Sequence, residues 1–269
     1  MIIICWFALV YIIKQFTTIM KNDLYGEFLK DFYFGKFKNE VWLNNNYGEA
    51  EELPVAAFFR DEEDMPDVEV YALNLCKGRV LDIGAGTGIH SMILQRNGFE
   101  VVAIEQSEGA CEVMSLKGVL NVVCDDVKNH KDEKFDTLLL MMNGIGFCGY
   151  VDDLKLFLNH AKNLILPDGQ ILFDSSDVAY LYEEEPDGDG YYGEIDYQYE
   201  YDGRKSDWFS WLYIDADLLK KIAEECGWYF EQIYQDDEDH YLGRLSLIPD
   251  PSPNEKGESL IIESYLKEK

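Results

Sequence analysis

Val80-Leu81-Asp82-Ile83-Gly84-Ala85-Gly86-Thr87-Gly88 is a short apolar strand running into a glycine-rich turn, and Gly88 to Asn97 continue with the apolar spacing of a helix. Glycines suit such a turn because the chain must reverse tightly and let a ligand touch its backbone with no Cβ in the way. The helix N-terminus that follows offers unpaired N–H groups and a partial positive charge to an anionic ligand group. Glu105 closes the next strand, about twenty residues after the first glycine, where a carboxylate is placed to accept both hydroxyls of a ribose.

Outward from this turn the chain alternates strand and helix. Glu100 to Ile104 reads as a strand, Ser107 to Lys117 as a helix, and Val119 to Val123 and Phe135 to Met141 as further strands. Val151 to Leu166 is amphipathic, and Gln170 to Phe173 is a strand after the Pro167-Asp168-Gly169 turn. Such alternation implies a parallel sheet with helices on both faces. The rhythm breaks after Asp174. Residues 183–194 are acidic and rich in glycine, an exposed loop, and Glu194 to Tyr201 with Asp207 to Ile214 flank Asp202-Gly203 as a hairpin. Asp215 to Cys226 is a helix with an Asp N-cap and a following Gly227, and two closing strands lie near 228–235 and 241–248. Upstream, Leu24, Phe28, Leu29 and Phe32 give a helix between Asn22 and Phe37, Asn44 to Asn46 a polar turn, and 48–75 a loop and helix punctuated by Pro54 and Pro66.

The turn is GxGxG, not the GxGxxG of nicotinamide-binding turns, and Asp82 precedes the first glycine by two residues. LDIGAGTG, with Glu105 after the second strand, closely resembles motif I of the class I S-adenosylmethionine-dependent methyltransferases, and the resemblance covers roughly residues 50 to 175. It implies a Rossmann-like, doubly wound, mostly parallel sheet with an antiparallel C-terminal hairpin and an N-terminal helical lid. It implies S-adenosylmethionine as cofactor and S-adenosylhomocysteine as product. The implied cofactor set is Asp82, Gly84, Ala85, Gly86 and Gly88 around the methionine portion, Glu105 and Gln106 at the ribose, and Asp125 at the adenine amino group, with Asp126 in its place if the register slips by one. The implied domains are an apolar extension over 1–19, the lid over 20–75, the methyltransferase domain over 76–248 with a hairpin insertion at 183–214, and a tail over 249–269.

The fourth strand ends in Met141-Met142-Asn143-Gly144, which departs from the [DN]PP[YF] pattern of enzymes methylating amide or exocyclic amino nitrogens. Strand ends near the switch point of such a sheet face the ligand, so Asn143 is a candidate cofactor or acceptor ligand, the alternative being a turn residue. Arg60 would bind the methionine carboxylate from the lid, or else forms a surface ion pair of small worth. His90 lies in the first turn of the glycine-loop helix, where a packing or capping role is the plainer reading. His240 is the better general-base candidate. The aromatic residues alternating through Tyr191 to Tyr213 read first as cross-strand packing and second as the wall of a pocket suited to an amine-bearing or planar molecule.

Twenty-three basic against 52 acidic residues leave a formal charge of −29, which excludes a nucleic acid as the main partner because that affinity rests on cations neutralising phosphates. Six scattered cysteines show neither zinc spacing nor a disulfide framework, so no metal is expected and a reducing, cytoplasmic setting is. The apolar run MIIICWFALVYII stops at Lys14, short of the about 20 residues a membrane span needs. It reads as an overlong start with Met20 as initiator, a short membrane anchor being the alternative; no stable membrane association is expected. The expected function is methyl transfer to a small-molecule acceptor, the alternatives being a protein methyltransferase or a non-catalytic cofactor-binding protein.

Overall fold

The computed structural model describes residues 23–182, 190–237 and 239–248. Expectations for residues 1–22, 183–189 and 249–269 lie outside them. Two sheets organise the molecule.

The larger sheet has seven strands: β3 (Val80–Ile83), β4 (Val101–Glu105), β5 (Val122–Cys124), β6 (Phe135–Leu140), β7 (Ile165–Ser176), β11 (Trp228–Gln235) and β12 (His240–Leu247), in the order β11-β12-β7-β6-β3-β4-β5. The five strands from β7 to β5 are parallel, while β12 runs antiparallel to both β7 and β11. This is the mixed sheet with a closing antiparallel hairpin that the sequence pattern predicts. The central strands are apolar on both sides because helices cover both sides. Leu81, Ile83, Leu138, Leu140, Ile171 and Phe173 meet α5 (Val151–Leu164) and α6 (Ala216–Glu225). Val80, Val101, Leu139 and Leu172 face α2 (Asp67–Leu75) and α3 (Ile89–Arg96). Burying Leu154, Phe157, Leu158 and Ala161 on one stripe of α5 contributes roughly 1.5–3 kcal/mol for each large side chain. Helix α4 (Glu108–Lys117) begins at the Ser107 N-cap, whose hydroxyl accepts the Ala110 N–H, and stops at the left-handed Gly118.

The second sheet differs from expectation. The segment read as a helical lid, with a polar turn at Asn44–Asn46 and a loop before its second helix, contains one α-helix before α2, α1 (Leu24–Tyr33), and also two strands, β1 (Val41–Asn45) and β2 (Glu51–Leu53). These pair with the hairpin strands β8 (Glu194–Tyr201), β9 (Arg204–Lys205) and β10 (Phe209–Leu212) in the order β10-β8-β1-β2, with β9 beside β8. The Asp202-Gly203 turn is where the sequence puts it, with both residues at positive φ (49° and 72°), the combination a two-residue hairpin turn requires. The strand β1 escapes sequence reading because its five residues, Val-Trp-Leu-Asn-Asn, are half exposed and too few to show a period. Its pairing with β8, Trp42 opposite Glu200 through Asn45 opposite Tyr197, spans more than 150 residues of sequence. Two boundaries also move. Helix α5 ends at Leu164 and β7 starts at once, and the third strand is Val122–Cys124 rather than Val119–Val123.

Helix α1 is anchored on α4 by two glycines. A Cβ on Gly26 would lie 2.7 Å from Gly109 Cα, and one on Gly109 would lie 2.6 Å from Gly26 Cα, so the two backbones touch where only glycine fits. Asp23 serves both helices. Its Oδ1 accepts the Gly26 N–H (2.9 Å) at the start of α1, and its Oδ2 accepts the Gly109 N–H (2.9 Å) and the Ser107 hydroxyl (3.0 Å) at the start of α4.

Candidate functional site

The glycine turn sits where β3 hands over to α3. Gly84, Gly86 and Gly88 all hold positive φ (68°, 55° and 76°), a region costly for residues with a Cβ. At Gly84 a Cβ would meet nothing within 4 Å, so the turn's backbone borders open space there.

Glu105 ends β4 beside this loop and is buried. Its Oε2 accepts the Gly86 N–H (3.1 Å) and its Oε1 the Ser107 N–H (2.9 Å). A carboxylate offers about four lone-pair sites, so both oxygens keep capacity for hydroxyl donors. Burial pushes its pKa up, opposed by the backbone N–H groups of Ser107, Gly86 and Gln106. Asp82 is also buried, accepts the Ser91 hydroxyl at 2.6 Å, and is pushed up in pKa by burial; it ties β3 to α3 beneath the turn. Ala85 is buried and Gln106 is exposed. At the end of β5, Asp125 is exposed and its Oδ1 accepts the Asn129 side-chain amide (2.8 Å) and the Asp126 N–H (2.7 Å). Asp126 is engaged as a cap, its Oδ1 accepting the Lys128 N–H at 2.9 Å.

Two tyrosines close over this half: Tyr25, which sequence reading missed, and Tyr199, one of the hairpin aromatics whose second reading was a pocket wall. Tyr25 of α1 stacks on Tyr199 of β8 with ring centroids 5.8 Å apart. A Cβ on Gly86 would lie 3.1 Å from Tyr25 Oη. Burial, with the Glu105 carboxylate nearby, holds both phenols above their ordinary pKa. The signal for Tyr25 was present in its place on a helix that caps at Asp23, but nothing local says that α1 docks on α4.

The segment before α2 hooks onto the same loop. Thr87 donates to the Phe58 carbonyl, and Lys117 donates to the Thr87 hydroxyl at 3.1 Å. Burial lowers the Lys117 pKa to about 8. Arg60 is not a surface residue. It pairs with the buried Glu69 and donates from Nη1 to the Ala57 carbonyl (2.5 Å), while its Nε is buried without a partner. Glu69 also bonds His90 Nε2 at 2.7 Å. Burial alone would raise the Glu69 pKa, but His90 and Arg60 outweigh it and hold the carboxyl below its usual range. His90 is therefore part of a buried anchor, as its plainer reading has it.

The end of β6 carries the second constellation. Met142 and Asn143 are consecutive non-glycine residues at positive φ (62° and 53°), a conformation costing on the order of 1–3 kcal/mol per residue. Asp174, near the end of the neighbouring β7 and 1% exposed, holds it in place, its Oδ2 accepting the Asn143 N–H at 2.9 Å. The Asn143 side chain donates to the Leu212 carbonyl of β10 at 3.2 Å. His240, at the start of β12, places Nε2 2.8 Å from the same Asp174 oxygen and Nδ1 3.7 Å from Asp236. The Asp174 carboxylate, against the opposing effect of burial, raises the His240 pKa. Both ring nitrogens thus face carboxylates. Asp174 did not stand out in the sequence, where it is one acid among 52.

Among the described residues no group of three or more His, Cys, Asp or Glu could hold a metal ion, and no helix is long and apolar enough to cross a membrane. Cys76, Cys111, Cys124, Cys148 and Cys226 are free thiols.

The architecture and loop chemistry match known proteins. A methyltransferase-domain family model matches residues 49–233. The S-adenosylmethionine-dependent methyltransferase of Bacteroides fragilis, solved in complex with S-adenosyl-L-homocysteine, is 38% identical, with 85% of this chain and 96% of that chain covered and a TM-score of 0.79. A glycine/sarcosine N-methyltransferase of Aphanothece halophytica is 24% identical over 61% of this chain and 74% of its own length. A putative methyltransferase of Bacillus subtilis is 27% identical over 41% of this chain, which spans about half (47%) of that relative's length. The extent of the family match and the similarity to the Bacteroides protein agree with the glycine turn and the buried Glu105: the chain belongs to the class I S-adenosylmethionine-dependent methyltransferases.

Proposed function

We propose that the protein transfers the methyl group of S-adenosylmethionine to a small-molecule acceptor, releasing S-adenosylhomocysteine. The observation that carries this reading is the left-handed Gly84–Gly86–Gly88 turn, open at Gly84, beside a buried Glu105 with lone pairs to spare. Such a turn accommodates a ligand in van der Waals contact with backbone, and the buried carboxylate suits a diol, so the residues fit the cofactor.

In this reading Gly84, Ala85, Gly86 and Gly88 bear on the methionine portion with Asp82 bracing the turn from below. Glu105 takes the ribose hydroxyls with Gln106 beside it, and Asp125 meets the adenine amino group, with Asp126 in its place if the register slips by one. Arg60 offers its unpartnered Nε to the methionine carboxylate. The bound cofactor supplies an already activated sulfonium methyl. The chain's own work is then positioning and water exclusion. Tyr25 and Tyr199 cover the Glu105 side, and Asn143, fixed by Asp174 and Leu212, borders the acceptor side.

Acceptor recognition falls to the second sheet, because β8 reaches Tyr25 at one end and β10 reaches Asn143 at the other. The net charge of −29 disfavours a polyanionic acceptor, and the free thiols suit a reducing, cytoplasmic setting. Titration calorimetry tests the cofactor assignment. S-adenosylmethionine and S-adenosylhomocysteine should bind at least about a hundredfold more tightly than NADH, about 2.7 kcal/mol. Tighter binding of NADH than of either sulfur nucleoside would overturn it.

A further inference from the structure

Buried polar atoms in folded proteins almost always find partners, and an exception asks for an explanation. The described residues hold four orphaned buried side-chain atoms, and two of them, Asn143 Oδ1 and Asp174 Oδ1, belong to residues bonded to each other. Both are acceptors. The other oxygen of Asp174 is spoken for by the Asn143 N–H and His240, and the amide nitrogen of Asn143 is spoken for by Leu212. What remains is a pair of oxygens, one of them on a carboxylate, at the carboxyl ends of adjacent parallel strands where the fold binds its ligands. The left-handed pair Met142–Asn143 is held at a cost in backbone strain, which is expected where geometry serves function.

We propose that Asn143 Oδ1 and Asp174 Oδ1 form a subsite for the N–H bonds of an amine, and that the methyl acceptor is accordingly a small molecule bearing a primary amino group. This rests on the methyltransferase reading and deepens it. Two acceptors match the two N–H bonds of a neutral primary amine, which keeps its lone pair for the methyl group, whereas a hydroxyl has one proton to give and a carboxylate acceptor would be repelled by Asp174. In the transfer step the nitrogen lone pair forms the new N–C bond while the C–S bond breaks with its electron pair left on sulfur. The proton then in excess on nitrogen passes to Asp174 Oδ1 and on to solvent. His240, bonded to Oδ2, fixes the orientation that leaves Oδ1 free for this.

The experiment uses the full chain saturated with S-adenosylhomocysteine, with the Asn143 side-chain amide followed by NMR while benzylamine or benzyl alcohol is added. The expected result is a saturable shift with benzylamine at least tenfold stronger in affinity than with benzyl alcohol. In Asp174→Asn, whose amide can turn a donor toward the subsite, that preference should be lost while S-adenosylhomocysteine affinity stays within threefold. A second variant, Asn143→Asp, keeps an acceptor at that position and, with both probes titrated by calorimetry because it lacks the reporting amide, should retain the preference. Equal responses to both probes, or no response to either, overturn the proposal. So does a tenfold or larger fall in S-adenosylhomocysteine affinity in Asp174→Asn, which would give the subsite to the cofactor's own amino group. Failure of S-adenosylhomocysteine to bind the unmodified chain would instead bring down the methyltransferase reading.

Discussion

The two halves of the large sheet treat their buried carboxylates in opposite ways. On the β3–β4 side, Glu105 takes an N–H on each oxygen and Asp82 takes the Ser91 hydroxyl. On the β6–β7 side, Asp174 gathers its protein partners on one oxygen and leaves the other buried and bare. An unsatisfied buried polar group costs roughly 1–3 kcal/mol, so the first arrangement is stable by itself while the second is poised for a partner. The contrast separates the proposed cofactor element, complete without a ligand, from one that the proposed acceptor would complete.

The largest expected effect lies on the satisfied side. Glu105→Ala removes the carboxylate that holds the loop and is proposed to meet the ribose, and cofactor affinity should fall by about ten- to a hundredfold, the scale of losing charge-assisted bonds. Calorimetry with S-adenosylhomocysteine reads this directly, and far-ultraviolet dichroism checks that the fold persists. Unchanged affinity would mean that Glu105 is only a brace for Gly86 and Ser107, and the contrast between the halves would lose its functional meaning.

Much of the satisfied side was legible in the sequence because its parts are close together. The turn, the helix after it and Glu105 fall within 26 residues, from Val80 to Glu105, and each follows from local chemistry. The poised side is assembled from residues 143, 174, 212 and 240, and no local pattern links them. Asn143 and His240 were visible as residue types near strand ends, but the carboxylate that joins them was not. The second sheet was half visible for the same reason. Its Asp202-Gly203 hairpin has a turn signature, whereas β1 acquires its identity only by pairing with β8 across the chain. Docking of α1 on α4 likewise depends on Gly26 and Gly109 meeting, and an isolated glycine inside a helix reads as a weakness, not as a contact.

An intermediate effect is expected where the roof joins the cofactor half. Asp23→Ala deprives the starts of α1 and α4 of one shared acceptor. Losing an N-cap costs about 1 kcal/mol, and with two helix starts involved the loss should be about 1–2 kcal/mol, read as a lowered urea midpoint. Because α1 carries Tyr25 over the Glu105 side, S-adenosylhomocysteine affinity should also drop by a few-fold. A stability loss with no change in affinity would show that the roof does not contribute to holding the cofactor, and would leave the loop and Glu105 to do so alone.

The smallest effect concerns the poised side and is a matter of pH. His240 has a folded-state pKa raised above its ordinary value of about 6.5 by the Asp174 carboxylate. The folded state therefore binds more protons than the unfolded chain between those two values. The stabilisation is fully present below about pH 6.5 and is lost as pH rises through the folded-state pKa. His240→Gln lacks the titration, so the stability difference between the native chain and this variant should shrink across that window and be constant on either side. Urea midpoints at a series of pH values measure it, and taking the difference cancels the groups the two chains share. The change should be modest because the ring is 28% exposed and solvent screens its attraction to Asp174. Parallel profiles would mean that the imidazole meets Asp174 as a neutral donor in both states. That outcome would remove the cationic partner from Asp174 and raise the cost of keeping its other oxygen bare, which makes the demand for an N–H donor at that oxygen stronger, not weaker.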